Sequence, residues 1–147
     1  MEKIGIIGSG TWGTAIAVLL VNNGHEVTLW SAIPAEIEEM AKTRTHRNLP
    51  GVTLPEGLIY TADLEKAMAD KDLLVMAVPS VFVRSTAQKM KPFCKDGQLI
   101  VDVAKGIEEN TLDTMTQIIK EELPMAETAV LSGPSHAEEV SRGLPTL

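Results

Sequence analysis

Short apolar runs alternate with longer helical stretches from the first residues onward, and this alternation predicts repeated strand–helix units. Lys3–Ile7 is a β-branched run, read as a strand; Thr11–Asn23 lacks proline, is rich in alanine and leucine, and is read as a helix. Gly24 stands where a left-handed residue closes a helix. A second strand is predicted over Glu26–Trp30 and a helix from Pro34 to Lys42, with proline where a missing N–H costs nothing. The stretch 43–55 is polar, carries two prolines and Gly51, and reads as loop. Beyond it the pattern predicts a strand at 58–61, a helix at 63–69, and a buried strand at 73–78 stopped by Pro79. Further elements are expected at 81–90 (helix), 98–104 (strand), 111–123 (helix), 129–132 (strand) and 135–142 (helix). Such a βαβα rhythm implies an α/β, doubly wound, mainly parallel sheet of Rossmann type, with right-handed crossovers and helices on both faces. We find neither an internal repeat nor a low-complexity segment. Residues 1–147 read as one domain.

Composition narrows the partners. The apolar share is 44% and aromatic residues supply only 3%, so the core is aliphatic and alanine-rich. A net charge of −7 argues against nucleic acid or an anionic membrane surface, because the mean field repels phosphate. Any phosphate must therefore bind in a local site of backbone amides and a few cations. The single cysteine, Cys94, permits no internal disulfide, which fits a reducing cytoplasm, and is read as a packed or idle thiol. The first apolar run, Ile4–Ile7, is too short for a signal peptide, and none reaches the ~18 residues of a membrane span.

Gly8-Ser9-Gly10-Thr11-Trp12-Gly13 is a G-x-G-x-x-G between the first strand and first helix. In that setting Gly8 permits a tight turn, Gly10 lets a diphosphate approach the backbone, and Gly13 lets helix pack closely on strand. The first-turn amides then face the phosphates, with the helix dipole behind them. A dinucleotide, NAD or NADP, is the implied cofactor. The second strand ends Trp30-Ser31-Ala32-Ile33-Pro34, with neither the carboxylate that would hold the ribose hydroxyls nor an arginine for a 2′-phosphate. Nothing repels that phosphate, so the balance tips slightly toward NADP(H).

Lys105 and Gly133 fall at the carboxyl ends of two later strands, where open parallel sheets bind ligands. Lys105 could polarise a substrate carbonyl during hydride delivery. Ser135 with Glu138 forms S-x-x-E, a capping box. His25, His46 and His136 stand alone, so no metal site is expected, and the basic run 43–47 reads as a solvated loop.

GSGTWGTAIA, NNGHEVTLW, LPGVTLPE, AVPS, AKGIEE and SGPSHAEEVSRGLPT, in this order, resemble the bacterial-type NAD(P)-dependent glycerol-3-phosphate dehydrogenases over essentially the whole chain. The resemblance implies reversible reduction of dihydroxyacetone phosphate to sn-glycerol 3-phosphate for phospholipid synthesis. It implies that Thr11, Trp12, Phe82, Lys105 and Ala137 contact the cofactor, joining the loop residues Gly8, Ser9, Gly10 and Gly13 and the strand-end Ala32 as cofactor-site candidates, and that Lys105, Gly133 and Ser135 contact the substrate. It places the general base, a lysine, in a later helical domain absent from this chain, and admits a homodimer of the full-length enzyme. Relatives often carry Arg or His where this chain has Ala32 or Ile33. Two other readings stand beside it: a dehydrogenase of the 3-hydroxyacid or ketopantoate type, and a non-catalytic nucleotide sensor.

Overall fold

The computed structural model describes residues 1–133 and 136–144. Its centre is a six-stranded, fully parallel sheet of order β3-β2-β1-β4-β5-β6. The strands are β1 (Lys3–Ile7), β2 (Glu26–Trp30), β3 (Ile59–Thr61), β4 (Leu73–Met76), β5 (Leu99–Asp102) and β6 (Glu127–Val130). The helices are α1 (Thr11–Asn22), α2 (Pro34–Thr43), α3 (Leu64–Met68), α4 (Val83–Met90), α5 (Met115–Glu122) and α6 (Ala137–Ser141). Strand order reverses between β1 and β4, and that switch point opens a crevice at the carboxyl edge of the sheet.

Alternate strand residues feed two cores. On one face Ile4, Ile6, Val27, Leu29 and Val75 pack with Ile16 and Ala17 of α1 and Ile37 and Met40 of α2. On the other, Ile7, Trp30, Leu74, Met76 and Ile100 pack with residues of α3, α4 and α5. The buried Trp30 satisfies its indole N–H on the Ala62 carbonyl at 3.1 Å. Among the described residues no helix is long and apolar enough to cross a membrane.

Several element ends differ from the sequence expectation, each for a local reason. β4 stops at Met76, before Val78, because the Pro79 ring drives the chain out of the sheet. A turn of 3-10 helix, Ser80–Phe82, precedes α4. β5 ends at Asp102, whose carboxylate accepts the Ala104 amide at 3.0 Å and turns the chain. α5 begins at Met115, not at Thr111: Thr114 and Gln117 form a reciprocal capping box. Residues 107–114 instead fold back as a small hairpin, with Ile107 paired to Thr114 and Glu108 N–H donating to Asp113 O at 2.9 Å. β6 starts two residues earlier than expected, because an edge strand tolerates the polar Glu127 and Thr128. α6 begins at Ala137 with His136 as its cap residue. Ser135, read above as part of a capping box and as a substrate contact, lies outside the described residues, as does Pro134.

Candidate functional site

The turn between β1 and α1 is built around its glycines. Gly8 has φ +124°, and a Cβ there would lie 2.6 Å from the Ala77 carbonyl carbon and the Val78 nitrogen. Only glycine lets the ends of β1 and β4 close up at this point. Gly13 rests against the Gly8 carbonyl and the Ala77 side chain, fixing α1 onto the turn. Gly10 is different. Its backbone is ordinary (φ −67°, ψ −176°), and a Cβ there would meet nothing within 4 Å. Its missing side chain serves no packing; it keeps open the space before the first turn of α1. Among the described residues no side chain caps that helix end. Its free amides and dipole favour an anion there.

A cavity of about 410 Å³ lies beside this turn, with Gly8, Ser9 and Gly10 on one side and Ser31, Ala32 and Ile33 from the end of β2 on another. The region around α4 supplies Phe82, Ser85, Thr86 and Lys89, spaced to lie along one helical face. Ile33 and Phe82 are both more than half exposed, two bare apolar surfaces on one cavity. The Ser31 hydroxyl accepts the Ile33 amide at 3.1 Å, shaping the turn between them. Glu36, in the first turn of α2, reaches the same cavity. A carboxylate thus lines this cavity from the next helix, although none stands at the end of β2.

Lys105 stands where the crevice continues. A second cavity, about 280 Å³, is lined by Gly10, Thr11 and Trp12 on one side and by Ala104 and Lys105 on another. A third, about 450 Å³, is lined by Lys105, Gly106, Gly133 and Thr114 among others. Lys105 Nζ donates to the Gly133 carbonyl at 2.8 Å, so two residues 28 apart in sequence meet directly. The glycine turn and Lys105 therefore share one edge of the sheet.

The Lys105 loop is held by ion pairs. Arg84 of α4 grips Glu108 with two nitrogens, at 2.7 and 2.9 Å, and also meets Glu122 at 2.7 Å and Glu121 at 3.0 Å. The arginine's hydrogen bonds hold the Glu108 carboxyl down to about 2. Three residues before Lys105, Asp102 is 2% exposed, and burial pushes its carboxyl up to about 6, only partly offset by the Ala104 amide. A carboxyl raised on folding favours the folded state while protonated; that contribution is full below about pH 4 and is lost as pH rises through about 6. Asp102→Asn keeps an acceptor for the Ala104 amide and removes the charge. It is expected to stabilise the chain by about 3 kcal/mol at pH 8 and hardly at all at pH 4. Urea unfolding at the two pH values checks this; equal shifts at both would contradict it.

Two parts of the site escaped the sequence reading. The basic run 43–47 is not simply a solvated loop. Arg44 ends α2 in a left-handed conformation and donates to the Leu54 carbonyl at 2.9 Å, while His46 is buried and contacts the Ser9 carbonyl at 3.0 Å. The other is the pair Glu36 and Lys89, which helical projection of α2 and α4 could have found. Ala137 is not among the residues lining the three cavities; it packs in a small apolar cluster with Trp12, Ala15 and Leu49.

Residues 3–147 match the family model described as NAD-dependent glycerol-3-phosphate dehydrogenase N-terminus. The chain belongs to this family. A glycerol-3-phosphate dehydrogenase [NAD(P)+] from Agathobacter rectalis is 55% identical over 147 residues, covering 99% of this chain and 44% of that protein. One from Fusobacterium nucleatum is 52% identical over 149 residues, covering 99% and 44%. Among solved structures, glycerol-3-phosphate dehydrogenase from Coxiella burnetii superposes with a TM-score of 0.92 at 32% identity, covering 99% of this chain and 45% of that one. The chain thus spans less than half the length of these family members. An imine reductase structure at 14% identity and a TM-score of 0.70 shares the fold alone.

Proposed function

We propose that this chain is the dinucleotide-binding portion of an enzyme that interconverts dihydroxyacetone phosphate and sn-glycerol 3-phosphate. The observation that carries this reading is the single crevice shared by the glycine turn and Lys105. The residues present fit a dinucleotide: the space before Gly10 is open, and the α1 amides stand uncapped behind it. Gly8, Ser9, Gly10, Thr11, Trp12 and Gly13 would hold the diphosphate, with Ala32 and Phe82 beside the adenosine end. When bound, the dinucleotide supplies the hydride. Lys105 would orient the substrate carbonyl and stabilise the negative charge that grows on its oxygen. Its bond to the Gly133 carbonyl holds the ammonium at the crevice before substrate arrives. Gly133 and Ser135 would flank the substrate, and Ala137 would support the cofactor through Trp12.

Cofactor choice follows from Glu36 and Lys89 on the adenosine-side cavity. A carboxylate suits a ribose 2′-hydroxyl, and an ammonium suits a 2′-phosphate. We therefore propose use of both NAD(H) and NADP(H), with the slight lean to NADP(H) resting on the absence of a carboxylate at the end of β2. A cytoplasmic setting and a homodimer of the longer enzyme complete the proposal.

The resemblance assigns the general base to a lysine of the family's helical domain, and chemistry needs base, cofactor and carbonyl held together. Calorimetry with residues 1–147 is therefore expected to show saturable binding of NAD+ and NADP+, with no turnover of glycerol 3-phosphate by the same preparation. Absence of binding, or steady turnover, would contradict the proposal.

A further inference from the structure

His46 is 8% exposed, and both ring nitrogens are engaged. The Asn48 amide donates to Nδ1 at 3.1 Å, so Nδ1 carries no proton. The proton of the neutral ring is then on Nε2, which lies 3.0 Å from the Ser9 carbonyl oxygen and donates to it. The Thr14 hydroxyl donates to the same oxygen at 3.1 Å, so both acceptor positions of the Ser9 carbonyl are occupied. Ser9 is itself buried.

These bonds fix a peptide plane. In a trans peptide the carbonyl and the following N–H point to opposite sides. With the Ser9 carbonyl held inward by these two donors, the Gly10 N–H is turned the other way, and Gly10 itself lines the cavity beside the turn. A flipped plane would leave the buried His46 and Thr14 donors without acceptors.

The segment bearing His46 is itself anchored. Asn48 Nδ2 donates to Thr11 Oγ1 at 3.2 Å, and Leu49 is fully buried in the cluster with Ala15 and Val140. His46 and Asn48 thus tie the stretch after α2 to both sides of Gly10, at sequence separations of 37 residues.

We propose that His46 is a positioning residue for the phosphate cradle: its Nε2–H pins the Ser9 carbonyl and so aims the Gly10 amide at a bound diphosphate. This rests on the dinucleotide reading above. The gain is preorganisation, since a donor already aimed need not be ordered when the ligand arrives.

Two substitutions of similar bulk separate aiming from packing. His46→Gln keeps an N–H donor, and His46→Met removes it. Calorimetry with NAD+ is expected to give a dissociation constant raised about fivefold or more for H46M, and within about twofold of the unmodified chain for H46Q. Equal affinities for the two variants would overturn the proposal. Should H46M fail to fold, nitrogen-15 spectra of the unmodified chain decide: a proton on Nε2 is expected, and a proton on Nδ1 would overturn the arrangement. No NAD+ binding by the unmodified chain would remove the functional reading itself, and this proposal with it. That outcome is distinct from bound NAD+ with indifferent variants.

Discussion

Gly10→Val is expected to raise the dissociation constant for NAD+ at least about 100-fold, or about 2.7 kcal/mol, while leaving the melting temperature nearly unchanged. The two halves of that result have separate causes. A Cβ at Gly10 meets no protein atom within 4 Å, and the extended φ and ψ suit a β-branched residue. The protein therefore has no reason to object. In the proposed complex the diphosphate would, because the isopropyl group would fill the space through which phosphate oxygens reach the α1 amides. Gly8→Ala should behave in the opposite sense. Its Cβ would press on the Ala77–Val78 peptide from a left-handed backbone, costing at least about 2 kcal/mol of stability. Thermal unfolding beside calorimetry reads both variants. A Gly10→Val chain that binds NAD+ normally would show that the diphosphate lies elsewhere.

In the longer enzyme, Lys105→Ala is expected to lower kcat/KM by about 10²–10³-fold, the range for loss of one preorganised donor at a developing oxyanion. The fall should lie mainly in kcat, because the charge on the carbonyl oxygen is greatest in the transition state. Part of the effect comes from geometry: without the ammonium, the contact to Gly133 that joins the loops after β5 and β6 is lost. Lys105→Arg tests for this, since it keeps a cation while changing its reach and shape. It should recover substrate affinity better than turnover. A loss below about tenfold for Lys105→Ala, about 1.4 kcal/mol, would reduce Lys105 to a surface residue.

The sequence was most legible where local chemistry decides. The β-branched runs Lys3–Ile7 and Glu26–Trp30 are strands over the bounds their composition suggests, and the glycine spacing between them has mechanical causes visible at Gly8 and Gly13. Pairing of Lys105 with Gly133 was foreshadowed by a rule about strand ends, not by any local pattern. Local signals misled where two competed. Thr111 looked like a helix start, yet the T-x-x-Q of Thr114 and Gln117 makes the better cap and leaves 107–114 free to form the hairpin that Arg84 clamps. His46 was not legible at all. The role proposed for it depends on a contact 37 residues away, and nothing in Thr-His-Arg distinguishes a buried donor from a solvated side chain.

A structure of this chain with NAD+ bound decides whether the dinucleotide spans the glycine turn and Lys105. Diphosphate oxygens are expected within hydrogen-bond reach of the amides between Gly10 and Gly13, with the nicotinamide ring in the cavity between Trp12 and Lys105. A diphosphate away from the glycine turn, or a nicotinamide on the far side of the sheet from Lys105, would contradict it.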